Sequence, residues 1–295
     1  MSSAVVRISA GLLVVCLFSI PSKTQNEKPP AEQVWFAVEE RPRGQLRIEP
    51  FAIAGDGKLN RFPSPCMEEY SENSEQQEVA ARYLQTGQTY SVVFGGAAAG
   101  QVRVVAAQPR SRIAEVAYEG PIKIRGKVKA LATNETPTSF RVESRQTATK
   151  EERAAALELA REIFREHGIA RELLSKVRTD FLTRTVLAPS PMSSWIGTFT
   201  LETGGEQDLQ HNLFLIATQG VGKLEAEMVW IRVSERMDED ETAEFVDHAD
   251  LLGDGHDEVV ARLTSTENHR YAVYRRSIDG AHWEQIFMTH LMECD

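Results

Sequence analysis

The first long apolar stretch, ISAGLLVVCLFSI from Ile8 to Ile20, carries no amphipathic period. One charge, Arg7, precedes it, and Pro21 and the polar run SKTQNEKPP follow. Its length suits the core of a secretory signal and falls short of the about 20 apolar residues that a membrane span needs. The pattern predicts a signal peptide over residues 1–24 and a linker over 25–32. It predicts an exported mature chain, periplasmic or secreted, without a membrane span. No A-x-A motif marks the cleavage point, so processing and retention as an N-terminal anchor are both compatible with the sequence.

Past the linker the pattern shortens to strand-length runs bounded by turn residues. VWFAVEE (34–40), QLRIEPFAI (45–53), TYSVVF (89–94) and QVRVVAA (101–107) read as strands, as do IAEVAYEG, IKIRGKVKALA and SFRVESR. Among them, Ser74 and Gln77 open a helical stretch with Val79, Ala80, Tyr83 and Leu84 on one face and Gly87 at its end. Together these predict a β-rich N-terminal domain over 33–146. Gly95–Gly100 lacks the Gly-Lys-Ser/Thr of a phosphate loop and precedes a strand, so it reads as a hairpin loop.

The period then changes to 3.6. Thr149 and Glu152 form a capping box, and Ala156, Leu159, Ala160, Ile163 and Phe164 make one apolar stripe. Gly168 ends that helix, and a shorter one follows with Leu173, Leu174 and Val177. This predicts a helical segment over 147–180. From 181 to 295 strands return: WIGTFTL, LFLIAT, EMVWIRV, DEVVARL, YAVYRR and WEQIFM. The fold class expected is α+β, mainly β.

This last region matches itself weakly. An offset of 64 lays Phe181 on Phe245, Leu187 on Leu251, Ile196 on Val260 and Phe199 on Leu263. An offset of 58 lays LFLIATQGVG on YAVYRRSIDG. A single unit of this size cannot bury its own face, so two blade-like units packed together are expected.

Composition narrows the partners. The formal charge of −10 argues against nucleic acid, which demands a concentrated basic face. Lys123, Arg125, Lys127 and Lys129 alternate along an expected strand and read as a solvated face. Of three cysteines, Cys16 lies in the signal, and the remaining Cys66 and Cys294 are expected to form a disulfide in an oxidising compartment. Asn134-Glu-Thr is a glycosylation sequon in a eukaryotic secretory route.

The second unit carries FVDHADLLGDGHDEVVARL (245–263). Calcium takes six to eight hard oxygens, and alternate residues of a tight loop can aim carboxylates at one point. Asp250 and Asp254 hold the first and fifth positions, Gly255 the sixth, and Asp257 and Glu258 offer further carboxylates. Leu252 stands at the third position, where a ligand is wanted, and the matching stretch of the first unit, VLAPSPMSS, has no acid. The run resembles the calcium loop of FG-GAP or VCBS-type repeats, the blades of integrin-like β-propellers. That resemblance covers about 45 residues and implies one weak calcium site at Asp250, Asp254, Asp257 and Glu258. His248, Asp250, Asp254 and His256 also form H-x-D-x-x-x-D-x-H, a spacing that transition metals accept. The leading expectation is an exported, non-enzymatic binding or structural module with no catalytic residues assigned and no specified ligand. The alternative is a metal-dependent hydrolase using the 247–258 loop.

Overall fold

Six successive residues of β1 (Gln33–Glu40) are buried, because both faces of this strand are covered. Val34, Phe36 and Val38 point into a barrel, while Trp35 and Ala37 point out against a neighbouring sheet. The computed structural model describes residues 32–62, 74–108, 112–135, 144–203, 209–234, 241–266, 268–277, 280 and 282–290. The expected signal and linker up to residue 31, Cys66, Cys294 and most of SFRVESR lie outside the described residues.

The barrel closes six antiparallel strands. Its order is β1, β7 (Ala130–Thr133), β4 (Thr89–Phe94), β5 (Ala97–Gln108), β6 (Ile113–Glu119) and β2 (Leu46–Gly55), which pairs back to β1. A short β3 (Lys58–Asn60) extends β2. Helix α1 (Ser74–Tyr83) adds Val79 and Tyr83 to the barrel core, followed by Leu84. The β4–β5 connection is a two-residue turn at Gly95 and Gly96, not the six-residue loop expected from the glycines and alanines. Both glycines have positive φ, 59° and 76°, which suits a hairpin turn of the primed kind, and β5 begins at once with Ala97.

Helix α2 (Lys150–Glu166) forms where the stripe predicts it. Thr149 Oγ1 accepts the Glu152 N–H at 3.2 Å, and a Glu152 carboxylate oxygen accepts the Thr149 N–H at 2.7 Å. Ala156, Leu159, Ala160, Ile163 and Phe164 are all buried. Gly168, with φ of 85°, follows the helix end. The next turn, Arg171–Lys176, is a 3₁₀ helix.

Two four-stranded antiparallel meanders follow. The first is β9 (Arg178–Val186), β10 (Ser193–Glu202), β11 (Gln210–Gln219) and β12 (Leu224–Ser234), with β8 (Gln146–Thr147) added at the edge. The second is β13 (Thr242–Ala249), β14 (Glu258–Thr264), β15 (His269–Arg276) and β16 (Trp283–Met288). The class is α+β, mainly β, with a C-terminal antiparallel region of two blade-like units.

The layers run helix, sheet, sheet, barrel. Leu213, Leu215 and Ala217 of the first unit pack on α2, while Phe214 and Ile216 pack on the second unit. Val259, Ala261 and Ala272 of the second unit meet that face, and Val260, Tyr271 and Val273 meet the barrel. The second unit is thus buried on both faces, which explains the nearly unbroken apolar runs of β14 and β15. Each large side chain sealed in these seams contributes about 1.5–3 kcal/mol.

Backbone pairing supports the offset of 64 and adjusts the second one. Thr183 pairs with Ile196 and Arg184 with Trp195; 64 residues on, Asp247 pairs with Val260 and His248 with Val259. For β11 and β15 the pairs Ile196–Ile216 and Val260–Val273 give 57, one less than the string match suggests. A one-residue slip exchanges the two faces of a strand, so 57 is the offset that keeps equivalent residues on equivalent faces.

One expected strand is mostly absent. IKIRGKVKALA bends at Gly126, where φ is 59°, and only Ala130–Thr133 pairs. A central glycine weakens a strand, and closely spaced like charges on one face repel. Lys123, Arg125 and Lys127 are exposed on this loop, while Lys129 is buried. Among the described residues, no helix is long and apolar enough to cross a membrane.

Candidate functional site

Strand β13 delivers Asp247, His248 and Ala249, and the chain turns through 250–257 before β14 begins at Glu258. Gly253 and Gly255 permit the turn with φ of 73° and 88°. Asp250 organises it: one carboxylate oxygen accepts the Asp254 N–H at 2.9 Å, the other the Gly255 N–H at 2.8 Å. Asp254 Oδ1 accepts the His256 N–H at 3.2 Å, and Glu258 Oε2 accepts the Leu251 N–H at 2.7 Å.

Arg275 of β15 reaches into this turn. Its guanidinium pairs with Asp254 Oδ2, and its Nε lies 3.5 Å from Glu258 Oε1. Two of the four expected calcium ligands, Asp254 and Glu258, therefore face a cation that the chain itself supplies, while both Asp250 oxygens are taken by backbone N–H groups. Glu258 is fully buried, and burial pushes its carboxyl up to about 8. The Leu251 N–H and Arg275 pull it down, while Asp254 and Asp250 add to the rise.

The fourth residue, Asp257, does not join them. Its Oδ2 accepts the Ala188 N–H at 2.9 Å and faces His248 Nδ1 at 3.0 Å. The other ring nitrogen, Nε2, lies 2.6 Å from Thr185 Oγ1 and 3.5 Å from Ser144 Oγ. A carboxylate only accepts, so Nδ1 carries the hydrogen toward Asp257, and in the neutral ring Nε2 is the acceptor toward Thr185. The order hydroxyl, imidazole, carboxylate is that of an acyl-transfer relay. Thr185 and His248 are wholly buried, however, and Asp257 is 3% exposed. Gly96 of the barrel turn seals the ring: a Cβ there would stand 3.1 Å from His248 Cε1. The relay pins the barrel turn to both units. It also removes His248 from the H-x-D-x-x-x-D-x-H spacing, and no metal-holding group of three His, Cys, Asp or Glu occurs among the described residues.

Beside it lies a buried pair that the sequence pattern did not single out. Arg145 Nη1 donates to Lys129 O at 2.9 Å, to Val246 O at 3.2 Å and to Asp247 Oδ2 at 3.2 Å. Phe94, Phe245 and Phe181 surround the guanidinium with centroids at 4.6, 4.8 and 5.4 Å. Asp247 Oδ1 accepts the Gly95 and His248 N–H groups. Burial raises the Asp247 carboxyl, and Arg145 offsets only part of the rise. The one available signal was a charge inside the apolar run of β13.

On the far side of these phenylalanines a cleft of about 230 Å³ opens between the two units and the 121–129 loop. Phe181 and Phe245 give it apolar walls, and Thr198, Thr200 and Asn212 add neutral polar groups. Its charges are largely matched. Lys129 Nζ lies 2.7 Å from Glu244 Oε2, and Lys127 Nζ donates to Asp180 O at 3.2 Å. Burial raises the Glu244 carboxyl, but Lys129 and Arg262 outweigh it and leave it below the usual range. Asp180 is the extra residue of a β-bulge, unpaired between Phe181 opposite Thr198 and Thr179 opposite Phe199. In the second unit the bulge falls on Val246. Bulges re-aim side chains, and this one brings a carboxylate to the cleft. No family model matches the chain, and no curated protein or solved structure matches it.

Proposed function

We propose that the chain is an exported, non-enzymatic binding module whose ligand enters the cleft between its two blade-like units. We take those units to be degenerate FG-GAP or VCBS-type blades. The observation that carries the binding reading is the cleft itself: a concave site with aromatic walls and a few polar groups on rigid strands. The Thr185–His248–Asp257 relay supports a scaffold role for that cluster, since all three residues are buried, bond one another and lie under the Gly96 turn. At the acidic turn, Arg275 supplies to Asp254 and Glu258 the positive charge that calcium would bring. Calcium binding there is weak and competes with Arg275.

A thermal-shift screen of neutral, anionic and cationic small molecules tests the reading, with Thr242→Trp as a variant that fills the cleft. We expect ligands that raise the melting temperature of the natural chain, do not affect the folded variant and are recovered chemically unchanged. Turnover of a hit, or equal stabilisation of both proteins, overturns it.

A further inference from the structure

We propose that the cleft takes a neutral polyhydroxylated ligand, a saccharide ring, with one face on the half-buried Phe181 and its hydroxyls on Asp180, Thr200 and Lys129. This rests on the cleft being the binding site and specifies its ligand.

Charge comes first. Glu244 is held by Lys129, Lys127 bonds the main chain of Asp180 and stands 3.9 Å from its Oδ1, and Arg178 pairs with Glu202. A ligand with net charge would add an uncompensated charge to a partly desolvated site whose ions already have partners. A neutral ligand carries no such penalty.

The remaining hydrogen-bonding capacity has both signs. Asp180 Oδ2 and Thr200 Oγ1 are buried and have no partner among the described residues. The first only accepts, and the second donates or accepts. Lys129 has three N–H groups and is buried, with Glu244 as its side-chain partner. A ligand must therefore offer donors and acceptors a few ångströms apart around one compact body. Hydroxyl groups do both, and a ring bearing several presents them at its rim while keeping C–H groups on its faces. Those faces match the phenylalanine walls, where buried polar atoms would cost free energy.

The bulge makes the arrangement specific to this site. In the second unit the equivalent distortion carries Val246, which packs against the outer face of the barrel. Asp180, in contrast, projects a carboxylate from a position that regular pairing would direct elsewhere.

The experiment is a titration calorimetry panel on the intact chain with glucose, galactose, mannose and N-acetylglucosamine. Glutamate, lysine and inorganic phosphate form the charged arm. Asp180→Ala and Thr200→Val are measured alongside, with folding checked by circular dichroism. We expect at least one sugar to bind at one site per chain, and each variant to weaken it about tenfold, the loss of one hydrogen bond to a buried or charged group. Charged probes that bind while sugars do not would overturn the ligand class and leave the binding module standing. Binding of neither arm would overturn the saccharide assignment, and if the wider screen also finds no cleft ligand, the module reading falls with it. Sugar binding unaffected by both folded variants would overturn the placement in this cleft.

Discussion

Phe181 and Phe245, which an offset of 64 lays on each other, touch across the seam between the two units with ring centroids 6.0 Å apart. Two successive units of like orientation would turn equivalent residues toward different neighbours. The bulge at Asp180 in one unit and at Val246 in the other shifts the alternation, so both rings face one seam.

That seam should be costly to open. Phe245→Ala removes a ring 2% exposed that also flanks Arg145. We expect a loss of about 3–5 kcal/mol in urea denaturation. A loss below about 1 kcal/mol would mean that the rings are not packed as described.

The Arg145–Asp247 pair yields a sharper test. Arg145→Met leaves a buried carboxylate without its cation and should cost about 3–5 kcal/mol. Adding Asp247→Asn removes the charge and keeps an acceptor for the Gly95 and His248 N–H groups. The double variant should recover at least half of the loss. Additive losses in this cycle would show that the two residues act independently.

How much of this could be read from the chain follows from the range of each interaction. The Thr149–Glu152 box and the α2 stripe are local and stood where the pattern put them. The first strand pairs of both units followed the offset of 64, because apolar alternation fixes register. Between Lys123 and Lys129, apolar and basic residues alternated as in a strand, but Gly126 turned the chain. Asp257 and Glu258 are neighbours in sequence, yet strand alternation sends one to His248 and the other to Arg275. Arg145 and Asp247 meet across 102 residues, a relationship that no local pattern encodes.

Glu258 makes stability depend on pH. Its folded carboxyl titrates near 8 and its ordinary value is 4.5, so the folded chain holds the extra proton between them. This contribution is fully present below about 4.5 and is lost as pH rises through about 8. We expect Glu258→Gln to remove a falling slope of at most about 1.4 kcal/mol per pH unit in that window. An unchanged slope, measured by urea melts from pH 5 to 9, would contradict the assignment.

Arg275 and calcium should exclude one another. Millimolar calcium should leave the melting temperature of the natural chain nearly unchanged. In Arg275→Ala, where Asp254 and Glu258 lose their cation, calcium should stabilise by about 0.4–1.4 kcal/mol, as for an extracellular site of millimolar to tenth-millimolar affinity. Equal responses in both proteins would show that Arg275 does not occupy the cation position.

The central claim is that a ligand binds between the two units, and a crystal structure of the chain grown with the tightest ligand of the screen tests it most directly. The account predicts density for that ligand in the cleft walled by Phe181 and Phe245, within hydrogen-bond distance of Asp180 Oδ2 and Thr200 Oγ1. An empty cleft beside a ligand bound elsewhere on the chain would contradict it.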